Sequence, residues 1–251
     1  MITSRSSWLA RRNPTVKAAV LLVMSLATLL ITHPVPAVAL YAIVLVLVVL
    51  AARPSIRALL LGQVPFISFG IGLVMVNALT RPGVDLLPDW PVRVTAEGLS
   101  MGVALAVRGL VIGVATIGFL ASTPPRDLMV SLVEHARLSP RYAYAILAGH
   151  RMLLQMPQTW STITAAQAVR APLDRKGRPR PGLRGWARCA FALLVSSVRS
   201  SERISLALES RGLGAGPRSV WHPVPLRASD GVFALVTLAA FAALVWWGMR
   251  W

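Results

Sequence analysis

The sequence predicts an all-α membrane protein of about five transmembrane helices, with a helical domain inserted before the last of them. Three observations carry this. Of the 251 residues 55% are hydrophobic and only 14% charged, and the mean hydropathy is +0.64. Several apolar stretches approach the roughly 20 residues needed to cross a hydrocarbon layer of about 30 Å. The 26 Lys and Arg, set against 9 Asp and Glu, lie mainly between those stretches, where the positive-inside rule expects them. A net charge of +17 would also suit nucleic acid. Its placement argues for topology, so the sequence points to lipid and not to nucleic acid.

Taken in order, Ala18 to Ile31 and Ala37 to Ala51 read as a pair of spans joined by the bend His33-Pro34-Val35-Pro36. The first is short, and an amphiphilic lead-in from Thr15 completes it. The bend replaces the small-residue cleavage site of a signal peptide, so none is expected. Arg53 and Arg57 mark a return to the starting side. A third span runs from Ala58 to Thr80, where Gly62, Pro65, Gly70 and Gly72 predict a kink or a close helix contact. Asn77 in it reads as a helix-to-helix hydrogen bond. The loop from Arg81 to Glu97 carries Asp85, Asp89 and Glu97 against Arg81 and Arg93, which suits the opposite side. A fourth span, Gly98 to Ala121, holds two GxxxG spacings, Gly98/Gly102 and Gly109/Gly113, that let another helix approach closely. Arg108 lies mid-span, where a charge costs on the order of 3 kcal/mol. Two readings stand side by side: a buried Arg bonded to carbonyls, and a contact with a second membrane protein.

From Ser122 continuous apolarity gives way to helical amphipathicity. Thr123-Pro124-Pro125 with Asp127 behind it is a helix start: a proline N–H is not missed there, and the carboxylate meets the positive helix end. Ser139-Pro140 is a second start, for a helix running towards Arg170 and bent or interrupted at Pro157. Ala171 to Gly182 is rich in breakers and reads as a solvated loop. A third helix, Arg184 to Ser210, ends at Gly212, a residue suited to the left-handed cap. Between Ser122 and Asp230 there are sixteen Lys or Arg and six Asp or Glu, which places this region, with the amino terminus, on the cytoplasmic side. The last span runs from Asp230 to Gly248, and Trp246, Trp247, Arg250 and Trp251 read as its interfacial anchor on the outer side. The divisions are therefore residues 1–121, four spans; 122–229, cytoplasmic helices; and 230–251, the closing span.

With this layout the chain resembles the transmembrane T component of energy-coupling factor (ECF) transporters, the cobalt and biotin members included. The likeness is most specific at Ser-Glu-Arg-Ile-Ser-Leu-Ala-Leu-Glu-Ser-Arg-Gly, Ser201 to Gly212, which looks like the second of the family's two X-Arg-Gly signatures. Thr-Pro-Pro-Arg-Asp-Leu (Thr123 to Leu128) and Leu-Ser-Pro-Arg-Tyr-Ala (Leu138 to Ala143) look like the entry into its coupling helices. The first signature corresponds to Val169-Arg170-Ala171, which keeps the Arg and replaces the Gly. The resemblance implies a scaffold in a prokaryotic cell membrane that couples two ABC-type ATP-binding subunits to a substrate-binding S component. Val169-Arg170-Ala171 and Ser210-Arg211-Gly212 would be the ATPase-coupling sites, and Arg108 a possible partner contact. An Arg at a helix carboxyl end suits such docking, since it sits against the negative helix end and offers a rigid fork for a carboxylate. Taken alone, Arg-Gly is an ordinary helix ending; its setting favours the docking reading. Glu202 and Glu209 read as partners of nearby arginines. Leu132, Leu147, Leu154, Leu194, Ile204 and Leu208 read as core packing, with some left to form a greasy surface for the S component.

Two other classes fit less well. A membrane hydrolase lacks paired carboxylates in the spans, and His33, His135, His150 and His222 are scattered, so no catalytic residue, metal or cofactor is expected. A glycine-rich Gly-Lys-Ser/Thr phosphate loop is missing, which leaves ATP hydrolysis to partners. A self-contained permease binding its own small-molecule substrate would need polar residues converging inside the spans, and Arg108 and Asn77 do not make such a site. The lone Cys189 rules out an internal disulfide.

Overall fold

In this computed structural model the described residues are 7–86, 94–169, 182–213, 216, 223–248 and 250. They form eight α-helices: α1 Pro14–Ala27, α2 Pro34–Ala52, α3 Ile56–Thr80, α4 Ala96–Ser122, α5 Pro125–His135, α6 Pro140–Ala168, α7 Leu183–Ser210 and α8 Ala228–Gly248. Among them α2, α3, α4 and α8 are long and apolar enough to cross a membrane. The chain is an all-α, multi-pass membrane protein. The first apolar segment is shorter: the 14 residues of α1 continue only through a 3-10 turn, Thr28–Leu30. The Pro34-Val35-Pro36 run is the first turn of α2 rather than the bend itself, because a proline N–H has no partner to lose at a helix start. Backbone contacts divide the chain into two compact units, one of residues 1–131 with 224–251, the other of 132–223.

In the first unit the direction of each helix follows from its contacts. Gly98 lies on the backbone of Asn77 and Ala78, Gly102 on Val74, Gly113 on the Phe66 ring and Gly62 under Ile117, so α3 and α4 are antiparallel and touch along their length. Small residues permit this, because in lipid the association rests on close van der Waals contact. α3 runs unbroken through Pro65. Gly118 meets Val48 near the ends of α4 and α2, and Gly248 at the end of α8 meets Pro36 at the start of α2. The core they enclose contains Leu40 and Val44 of α2, Val111 and Val114 of α4, and Phe241 and Val245 of α8. Asn77 does not bond across to another helix as the sequence reading had it; its amide donates to the Leu73 carbonyl, one turn back in α3, at 2.9 Å.

The starts of α1 and α8 are joined by a buried polar cluster. Asn13 caps α1 by accepting the Thr15 N–H at 2.9 Å, and its backbone N–H donates to Asp230 Oδ1 at 3.3 Å. The other Asp230 oxygen accepts the Arg227 N–H at 3.0 Å. Ser131 of α5 donates to Asn13 Oδ1 and shares a hydrogen bond with the Thr15 hydroxyl, both at 2.7 Å. Lys17 Nζ donates to the carbonyls of Leu9 and Ser122, each at 3.1 Å. Sequence reading singled out none of these as a cluster, because the partners lie up to 217 positions apart.

The glycine contacts make a paired prediction. A methyl on Gly102 would sit 2.7 Å from the Val74 Cα, whereas one on Gly109 meets nothing within 4 Å. Gly102→Ala should therefore cost about 1–3 kcal/mol and Gly109→Ala next to nothing, read as melting temperatures of the detergent-solubilised protein.

Candidate functional site

The second unit is built on α6 and α7, two of the longest helices in the chain at 29 and 28 residues. α6 passes through Pro157 without interruption. The two helices pack against each other, and the rings of Trp160 and Trp186 meet at 5.2 Å between centroids. Cys189 is buried here as a free thiol. Much of the remaining apolar surface is open: Leu153, Leu154, Phe191, Leu194 and Val198 are exposed, whereas Leu132, Leu147, Ile204 and Leu208 are half-buried.

The sequence-predicted arginine at the carboxyl end of α7 stands on a well-formed helix stop. Gly212 has φ 74°; its N–H donates to the Glu209 carbonyl at 2.8 Å, and the Leu213 N–H donates to Leu208 at 2.9 Å. These are the two crossed bonds of a Schellman ending, which needs the left-handed conformation that glycine takes without cost. Arg211 is the cap residue, and both it and Ser210 are exposed. The carboxyl end of a helix presents unsatisfied carbonyls and a partial negative charge, which favours a cation at that position. Glu209 is engaged by its own helix, accepting from the Ser205 hydroxyl at 3.2 Å.

At the end of α6, Val169 caps the helix with its side chain almost wholly in the open, 88% exposed. Arg170 and Ala171, the other members of the first triplet, lie outside the described residues, as does the predicted solvated loop through position 181. The separation of the two helix ends can still be bounded. Val169 lies nine residues beyond Trp160, and Ser210 lies 24 residues beyond Trp186. At 1.5 Å per residue these are about 13 and 36 Å of helix from a common contact, so the ends stand at least about 20 Å apart whatever the crossing angle. The structure does not bring the two helix ends together.

Arg108 sits at the middle of α4 in the first unit, half-buried. It has no hydrogen-bond or ion-pair partner among the described residues. The reading in which it bonds to nearby carbonyls is not what the structure shows. Among the described residues no group of three or more His, Cys, Asp or Glu is placed to hold a metal ion.

A family model described as cobalt transport protein (CbiQ) matches residues 5–220. The chain belongs to this family. The match takes in α1 to α7, including both helix ends described above. Two curated relatives add to it. A protein of Bifidobacterium longum, named as an ABC transporter ATP-binding protein, is 22% identical over 207 residues, covering 79% of this chain and 26% of that protein. The energy-coupling factor transporter transmembrane protein EcfT of Thermanaerovibrio acidaminovorans is 28% identical over 179 residues, 68% of this chain and 66% of its relative. The chain thus matches about a quarter of the length of the first relative and just under two thirds of the second. Family membership agrees with the resemblance drawn from Ser201 to Gly212.

The helix ending at Gly212 can be tested by itself. Gly212→Val forces a branched side chain into the left-handed region at a cost of about 1–2 kcal/mol. Hydrogen exchange of amides 208–213 should speed up by roughly tenfold, while the amides of α6 keep their protection.

Proposed function

We propose that this member of the cobalt transport protein family is the non-catalytic transmembrane T component of an ECF-type uptake transporter for a vitamin or metal ion. It lies in a prokaryotic cell membrane with its amino terminus in the cytoplasm, couples two ABC-type ATP-binding subunits to a membrane-embedded S component, and binds no cofactor of its own. The observation that carries this reading is the end of α7, where a Schellman-capped helix places Arg211 at an exposed cap position. Support comes from the relative named EcfT, and from the relative named for ATP binding, which contains a segment similar to most of this chain.

The topology fits the orientation. α1, α3 and α8 start, and α2 and α4 end, at one side of the first unit, where Arg11, Arg12, Lys17, Arg53 and Arg57 collect; Asp85 and Glu97 lie at the other. This is the positive-inside arrangement with the amino terminus inside. Residues 122–229 then form the cytoplasmic coupling domain between spans 1–121 and 230–251. At the outer end, Arg250 lies 3.7 Å from the centroid of the Trp246 ring, an amphipathic pair suited to the headgroup level.

In this account Arg211 and Arg170 each dock one ATPase. Helix ends at least about 20 Å apart suit two receiving sites better than one. The exposed apolar residues of α6 and α7 hold the S component, and Arg108 makes a polar contact within the membrane with a partner subunit. ATP binding draws the ATPases together and moves the helix ends with them, and the coupling helices act as levers on the S component. The energy enters through contacts that differ between the two states.

Co-purification in detergent tests the docking. Arg211→Glu replaces an attraction by a repulsion where a docked charge pair is worth about 2–5 kcal/mol, so ATPase retention should fall at least tenfold; Arg170→Glu should act likewise and the double variant most strongly. Unchanged capture by the folded double variant would remove the role given to these arginines, and failure of the wild type to retain ATPases would favour a self-contained permease.

A further inference from the structure

At the side of the first unit where α1 and α8 begin and α4 ends, a cavity of about 100 Å³ is lined by Arg11, Arg12, Lys17 and Arg227, with Asp127 and Ser122 among its other walls. Four cations and one carboxylate thus line it, and the Asp230 carboxylate lies next to Arg12. Two of the cations are already engaged. Lys17 holds the carbonyls of Leu9 and Ser122, and Arg12 lies 4.3 Å from the Trp8 ring centroid and 3.8 Å from Asp230 Oδ1. The second distance is too long for a hydrogen bond. The Arg12 Nε is buried and has no acceptor. A buried donor on a charged group left this way keeps its full desolvation cost, and an anionic oxygen would relieve it. Arg11 and Arg227 are exposed, so they are free to close on such an anion without first leaving a buried site.

The position argues what carries the anion. The cavity lies at the ends of apolar helices, beside Trp8, which is 51% exposed and packs edge-on against Phe233 of α8 at 5.7 Å. An exposed indole at the start of a spanning helix marks the headgroup level, and basic pockets between helices at that level bind the phosphates of anionic lipids. The volume admits a group the size of a few waters, at about 30 Å³ each in the liquid. Asp127 sets a limit on charge: it disfavours a dianion and leaves a monoanionic phosphodiester as the better fit.

We propose that this cavity binds the phosphodiester of an anionic lipid headgroup, held by Arg11, Arg12 and Arg227. The proposal rests on residues of the first unit alone and is independent of the docking of ATPases. Native mass spectrometry of the full chain, loaded with equal amounts of phosphatidylglycerol and phosphatidylcholine, tests it. The wild type should retain phosphatidylglycerol selectively, and Arg11→Glu/Arg227→Glu should lower that retention by about thirtyfold, at roughly 1 kcal/mol for each of the two basic residues near the surface. Arg53→Glu/Arg57→Glu removes the same charge from the same side of the bundle and should change little. Because both pocket arginines are exposed, an unchanged melting temperature is expected, and the milder Arg227→Gln should give a smaller loss in the same direction. Equal losses in the two double variants, undiminished retention in the first, or no preference of the wild type would overturn the proposal. Displacement of the lipid by inorganic phosphate at equal concentration would assign the site to free phosphate and overturn it as a headgroup site.

Discussion

Asp230 holds one end of the first unit together. The residue is 1% exposed, and its carboxylate is satisfied by the Asn13 and Arg227 N–H groups with Arg12 nearby. A buried charge that loses its partners costs several kcal/mol, so the chain before α1 and the chain before α8 have to stay in register. Asn13 extends the constraint by bonding to Ser131 of α5 and to the Val224 carbonyl, and Lys17 extends it to the end of α4.

That arrangement also explains why so much cationic charge is tolerated in one place. Lys17 is held by two carbonyls, Arg12 lies against an aromatic face and near one carboxylate with its Nε still without an acceptor, and Arg11 and Arg227 remain at the surface. Polar groups at the edge of a bilayer are affordable when each finds either water or a fixed partner. In the second unit the logic differs. α6 and α7 leave large apolar side chains open, and an exposed apolar surface of that kind is a docking surface in most proteins that keep one.

Much of this was legible in the sequence. The spans α2, α3, α4 and α8 were marked by unbroken apolarity, the start of α5 by Thr123-Pro124-Pro125, and the stop of α7 by Gly212, whose missing side chain is the reason for the turn. Local signals of this kind survive because they depend on neighbours in the chain. What escaped depends on distance. The Asn13, Ser131 and Asp230 cluster joins positions more than a hundred residues apart, and Asp230 read only as the start of a span. Asn77 was expected to bond across helices, yet its amide found the carbonyl one turn back, since the close approach of Gly98 and Gly102 had already filled the gap between α3 and α4. Pro157 was expected to bend or interrupt α6, and the helix continues through it. The first triplet, Val169-Arg170-Ala171, was read by likeness alone, and its Arg170 lies outside the described residues.

The central claim is that the end of α7 touches an ATP-binding subunit. A photoreactive amino acid at Ser210, activated in membranes holding the assembled transporter, tests it most directly, with the same group at Phe191 on the body of α7 as the comparison. The account predicts an adduct between Ser210 and an ATP-binding subunit, and from Phe191 an adduct with a membrane partner. Adducts with an ATP-binding subunit from Phe191 and none from Ser210 would contradict it.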